Sequence, residues 1–169
     1  MATLKPATKE DLKRLAQDFA DKALRDPEAP STVVLFLRPD GQIAVMPLSF
    51  SDDIEKEIAK QVIKAITVKE NMQAGAMVSE CWVSLKEDIT EENLSDQPLP
   101  SQDPNRKEAM CLVFADSFGT WLKMDLIERD PQTNEACVVK PGTLQLIQSH
   151  HEAFFNDVFL RNESNGTVH

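Results

Sequence analysis

Apolar residues recur at helical spacing in two segments of the first half of the chain. The segment 8–25 carries one apolar stripe, formed by Leu12, Leu15, Phe19, Ala23 and Leu24. Thr8, with Asp11 three residues later, predicts a capping box at the start of this helix. The segment 52–70 predicts a second helix, whose apolar stripe consists of Ile54, Ile58, Val62 and Ile66, widened by Ala59, Ile63 and Ala65.

Elsewhere the apolar residues form short runs or alternate with polar ones, as they do in β-strands. Such runs cover residues 32–37, 42–46, 76–85, 107–115, 120–128 and 136–139. The turn at Arg38–Gly41 predicts a hairpin between the first two runs, because proline presets φ and glycine accepts a positive φ. Residues 143–148 are ambiguous between helix and strand, and residues 153–160 predict a terminal helix.

This order of elements predicts an α+β fold, an antiparallel meander sheet of about six strands with two or three helices packed on it. One domain accounts for residues 1–169, with frayed ends at 1–7 and 161–169. A long loop at 86–105 is acidic in its first half and rich in proline in its second half. A loop of that length in a compact domain is typically functional, mobile or part of an assembly contact.

The chain is acidic, since 28 Asp and Glu residues against 18 Lys and Arg give a net charge of −10. This charge repels phosphate backbones, so we do not expect direct nucleic-acid binding. An acidic chain can instead mimic nucleic acid with its own carboxylates and so inhibit a DNA-binding protein, and this is one alternative function. No apolar run approaches the ~20 residues that span a bilayer, and the first residues lack the apolar region of a secretory signal. We therefore predict a cytoplasmic protein without membrane attachment.

The residues that most often carry catalysis or bind metals are sparse. Cys81, Cys111 and Cys137 lie far apart, without zinc-site spacing, and are interpreted as reduced thiols that fill the core. The adjacent side chains of His150, His151 and Glu152 point apart in any regular structure, which disfavours shared metal binding. The glycines form no phosphate-binding loop. We therefore predict no catalytic residue, no metal and no cofactor, which favours a protein that is not an enzyme.

One polar feature stands out within the predicted strands. Glu80 and Trp82 lie on one face of an otherwise apolar strand, and Arg106 lies at the start of the next strand. Because an unpaired buried carboxylate is costly, we predict that Glu80 pairs with Arg106. The pair has two interpretations. It is either a structural clasp for the long loop or part of a polar pocket, which would consist of Glu80, Trp82, Ser101, Asp103, Arg106 and Glu108.

The same residues carry a resemblance. Glu80-Cys81-Trp82, followed by the segment from Pro100 to Glu108, resembles the E-A-W and P-S-x-D-P-x-R-x-E motifs of small bacterial and phage proteins of unknown activity. The resemblance covers residues 75–128, and Cys81 departs from the small residue that is usual there. It implies a shared fold and a loop motif that did not arise by chance, but it implies no reaction.

These observations predict a non-enzymatic intracellular module that acts by protein–protein contact or self-assembly, encoded by a phage or another mobile element. The alternative is a small-ligand binder or an enzyme that uses the Glu80/Arg106 pocket, and the third is the nucleic-acid mimic. The apolar residues of 153–160, which include Phe154, Phe155 and Phe159, predict either packing onto the sheet or a two-fold dimer contact.

Overall fold

A computed structural model describes residues 5–83, 102 and 104–146 of the chain. Within these residues there are two helices, α1 (Lys9–Arg25) and α2 (Asp53–Lys69). The strands are β1 (Thr32–Leu37), β2 (Ile43–Leu48), β3 (Ala74–Val83), β4 (Lys107–Asp116), β5 (Gly119–Arg129), β6 (Ala136–Lys140) and β7 (Gln145–Leu146). The predicted α+β fold is confirmed. Most of the predicted loop at 86–105 and the predicted helix at 153–160 lie outside the described residues.

The strands form one antiparallel sheet in the order β2-β1-β3-β4-β5-β6, and β7 pairs with β5. The part from β3 to β6 is a meander, and the β1–β2 hairpin joins it through the pairing of β1 with β3. All six residues of β1 are buried, as expected for a strand that is covered on both faces. The strand pair β3–β4 lies at the centre of the sheet and carries Glu80, Trp82 and Glu108 of the predicted polar pocket.

Helix α1 covers one face of the sheet. Its buried residues (Leu12, Ala16, Ala20 and Ala23) pack in one core cluster with inward-facing residues of β1, β3, β4 and β5. The predicted capping box is confirmed: Asp11 Oδ2 accepts from the Thr8 backbone N–H at 2.8 Å, and Thr8 Oγ1 accepts from the Asp11 N–H at 3.2 Å. The hydrogen bond from the Thr8 backbone is the main cause that lowers the pKa of Asp11, followed by the one from the Thr8 hydroxyl.

Helix α2 packs against the opposite face of the sheet with one part of its predicted apolar stripe. Ile63 and Thr67 are buried, and Ile63 belongs to a core cluster with Val34 and Phe36 of β1. Of the predicted stripe, Ile63 and Ile66 pack in or against this core, whereas Ile54, Ile58 and Val62 are exposed. None of the described helices is long and apolar enough to cross a membrane.

The start of the chain is anchored to the β1–β2 hairpin. The Ala7 N–H donates to the Gly41 carbonyl at 2.8 Å, and Ala7 packs against the core below α1. Gly41 has a φ of 79°, and a Cβ atom at that position would collide with Pro6. This hydrogen bond ties Ala7 to the hairpin, and residues 1–4 of the segment that was predicted to fray lie outside the described residues.

Strand β2 forms one edge of the sheet and contains a proline. Pro47 lies opposite Val33 of β1 and is exposed. Proline has no backbone N–H, so it is compatible with an edge strand and not with a central one. The neighbouring Val45 is also exposed, so this edge strand has apolar side chains on its surface.

Candidate functional site

Arg129 links three neighbouring strands on the face covered by α1. Its Nη2 atom lies 2.7 Å from Glu80 Oε2, and its Nε atom donates to Glu108 Oε1 at 2.8 Å. Its Nη1 atom donates to the Asn134 carbonyl at 3.2 Å, in the turn that follows β5. We call Arg129, Glu80 and Glu108 the Arg129 clasp. Arginine suits this position because its planar fork can hold several oxygen acceptors at once.

The strand register explains why these three side chains meet. Glu108 lies opposite Ile127, and Arg129 is two residues further along β5, so both side chains lie on the same face. Glu80 lies opposite Met110 on the other side of β4, which is again the same face. Each carboxylate is therefore within diagonal reach of one guanidinium.

The charges of the clasp stabilise one another. Hydrogen bonding to Glu108 is the main cause that raises the pKa of Arg129, and the interactions with Glu80 act in the same direction, against partial desolvation. All three nitrogen atoms of the guanidinium are engaged by Glu80, Glu108 or Asn134. Arg129 therefore does not present an unoccupied fork to an anionic ligand.

The predicted partner of Glu80 was wrong. Glu80 pairs with Arg129, whereas the guanidinium of Arg106 lies over the ring of Trp82, 4.5 Å from the ring centre. Arg106 precedes β4 and lies beyond the register position of Trp82, which faces Glu108. The structure thus brings Glu80 and Glu108 together and places Trp82 beside them.

The remaining members of the predicted pocket, Ser101 and Asp103, lie outside the described residues. Sequence reasoning missed Arg129, although a signal was present. The residue follows Ile127 at a spacing of two, so it falls on the same strand face as an apolar residue that belongs in the core. A second arginine candidate for Glu80 was therefore available from the strand pattern alone.

A small cavity lies beside the clasp, with a volume of about 210 Å³. Its walls come from the clasp, from the end of α1 and the connection to β1 (Ala23, Asp26, Pro27, Ala29 and Ser31), and from Asn134. Sites for drug-sized ligands usually have volumes of about 300–1,000 Å³ and mostly apolar walls. This cavity is smaller and contains three carboxylates with one guanidinium, so it does not have the usual character of such a site.

Asp125 of β5 is a buried acid outside the clasp. Asp125 Oδ1 accepts from the Gly142 N–H at 2.7 Å, and Asp125 Oδ2 lies 3.3 Å from Lys123 Nζ. A Cβ atom at position 142 would collide with the backbone of Met124, so glycine is required for this approach. The carboxylate of Asp125 therefore holds the segment after β6 against the sheet.

The cysteines also differ from their prediction. Cys81 faces Ala109 and Cys111 faces Ser79, so the two cysteines are diagonal neighbours on β3 and β4. They form a disulfide, with their Cα atoms 6.7 Å apart, and Cys137 is an exposed free cysteine. The prediction of three reduced thiols in the core was wrong.

The outward side of α2 is the most apolar surface that the described helices present. The exposed fractions are 72% for Ile54, 58% for Ile58 and 47% for Val62, and Val68 near the end of the helix is 52% exposed. We call these four residues the α2 stripe. The helix is therefore apolar on its sheet-facing side and also on its outward side, whereas a surface helix of a monomer usually has one apolar side.

The comparisons with known proteins add no further information about this site. No family model, no curated protein and no solved structure matches the chain. The resemblance to bacterial and phage proteins stays a prediction. Among the described residues, no group of three or more His, Cys, Asp and Glu side chains is arranged to hold a metal ion, and the histidines at 150–151 lie outside those residues.

Proposed function

We propose that the protein is a non-enzymatic module that acts by protein–protein contact, and that the outward side of α2 is its contact surface. The observation that carries the proposal is the α2 stripe, in which Ile54, Ile58 and Val62 follow one another at intervals of four residues and are all exposed. Contiguous apolar surface of this kind typically marks an interaction site, whereas single exposed apolar residues do not.

The Arg129 clasp fits this proposal as a structural element. It links three strands to the turn after β5, and its guanidinium is engaged on all three nitrogen atoms. A catalytic or ligand-binding role would need groups that stay available to a substrate.

Site-specific photo-crosslinking tests the contact surface. A photoreactive amino acid at position 58 of the full chain is irradiated in the purified protein and in an extract of the cells that produce it. We expect a protein adduct in at least one of the two samples. The matched control carries the same group at position 18, which is exposed on α1, and should give no such adduct. Absence of any adduct at position 58 under both conditions would contradict the proposed function.

A further inference from the structure

Helix α2 has opposite charges in its two halves. Residues 52–57 contain four acidic residues and one lysine, a net charge of −3, and residues 60–69 contain three lysines and no acidic residue, a net charge of +3. This segment is therefore balanced in a chain whose net charge is −10. A second copy of the chain would meet less repulsion here than at an average part of the surface.

The outward residues of α2 have the spacing of a coiled-coil seam. Ile54, Ile58, Gln61, Ala65 and Val68 alternate at intervals of four, three, four and three residues, and all five are exposed. Glu57 and Lys64 lie seven residues apart, so both fall on the same flank of this seam. Lys69 falls on the opposite flank, beside Val62.

These positions distinguish the two possible orientations of a helix pair. In a parallel pair, opposite flanks meet, which would bring Lys64 of one protomer next to Lys69 of the partner subunit. In an antiparallel pair, equal flanks meet, which brings Glu57 next to Lys64 of the partner subunit, twice in each dimer. The antiparallel orientation therefore replaces two repulsive contacts with two attractive ones.

We propose that the occupant of the α2 stripe is a second copy of this chain, held in an antiparallel α2–α2 contact around a two-fold axis. The inference rests on the proposed function, and it names the partner. Ile54 of one protomer packs beside Ala65 of the partner subunit, and Ile58 beside Gln61 of the partner subunit. The closed two-fold contact is self-complementary, as is usual for homodimers.

The expected dimer is weak. A helix of 17 residues is about 25 Å long. A single helix pair buries less than the ~800 Å² per partner of a standard interface, which favours a dissociation constant on the order of micromolar. Gln61 in the seam also lowers the affinity and helps to fix the register, as polar seam residues do in coiled coils.

Charge exchange tests the orientation. Sedimentation equilibrium of the full chain at low salt is compared for the wild type, Glu57→Lys, Lys64→Glu and an equimolar mixture of the two variants. Each single variant creates two like-charge contacts in its own homodimer, so we expect association about ten-fold weaker than in the wild type. The mixture forms a heterodimer with two attractive contacts, so we expect its affinity to return to within about three-fold of the wild type.

Further variants separate the possible failures. Ile58→Lys should abolish the dimer, and Val139→Lys, at an exposed valine of β6, should leave it unchanged. If Ile58→Lys abolishes dimerisation but the mixture does not recover, the antiparallel register is wrong and the contact surface stands. If the wild type remains an 18.9 kDa monomer up to 200 μM, the second copy is excluded. A position-58 adduct with another protein then identifies the true occupant, whereas an adduct within the same chain, or no adduct, removes the proposed function as well.

Discussion

Replacing Arg129 with methionine should destabilise the protein considerably, because it leaves Glu80 and Glu108 without their shared counter-ion. The side chains of the clasp are 22%, 26% and 21% exposed for Arg129, Glu80 and Glu108. Their exposure is intermediate between two general cases. A fully exposed ion pair contributes about 0.2–1 kcal/mol to stability, and breaking a buried ion pair costs about 3–5 kcal/mol. We therefore expect Arg129→Met to lower the free energy of unfolding by about 2–3 kcal/mol, given two contacts at 2.7 and 2.8 Å.

Urea unfolding followed by circular dichroism measures this effect. With a urea dependence of about 2 kcal/mol per molar, the midpoint should fall by about 1–1.5 M. The matched control is Arg14→Met, which removes an exposed ion pair with Asp11 at 3.5 Å and should shift the midpoint by less than about 0.3 M. Adding Glu80→Gln and Glu108→Gln to Arg129→Met removes the uncompensated charges and should recover part of the loss. Equal midpoints for Arg129→Met and the wild type would refute the structural role of the clasp.

Three further predictions concern other parts of the fold. Thiol titration of the folded, unreduced protein should find one reactive group, Cys137, and three thiols would contradict the bridge between Cys81 and Cys111. Because the bridged cysteines are 30 residues apart, reduction should lower the free energy of unfolding by about 3–4 kcal/mol. Because the folded pKa of Asp11 lies below its unfolded value, its contribution to stability is complete above about pH 4 and is lost as the pH falls through the folded pKa. Asp11→Asn should therefore flatten the acid side of the stability profile in denaturation series between pH 2.5 and 7, and a profile equal to that of the wild type would argue against the capping box. Gly41→Ala should lower the free energy of unfolding by about 1–2 kcal/mol, because alanine disfavours the positive φ and its Cβ atom collides with Pro6. An unchanged unfolding midpoint would show that the hairpin turn relaxes to accept alanine.

The fold was predictable because its local signals agree with one another. The capping box at Thr8 and Asp11 and the period-two runs of the strands each predict one structure, and the sheet uses them in chain order. The helical extent of α2 was also predictable, but its buried side was not. Apolar residues surround so much of that helix that only its packing on the sheet selects Ile63 over Ile58.

The sequence was enough to predict that Glu80 needs a cationic partner, but it was not enough to predict which arginine is that partner. A glutamate at position 80 of an apolar strand required a cationic partner, and this follows from desolvation alone. The choice between Arg106 and Arg129 depends on the register of β4 with β5, which sequence spacing does not determine. The same limit applies to Cys81 and Cys111, because their diagonal contact exists only once β3 and β4 have paired.

Pro47 has a consequence for how this protein behaves at high concentration. An exposed edge strand with an apolar residue such as Val45 is a template on which other chains can add strands and form fibrils. The missing N–H of Pro47 interrupts the row of donors that an incoming strand would need. Growth by strand addition is therefore blocked at this edge, and a Pro47→Val chain should form fibrils at concentrations at which the wild type stays clear.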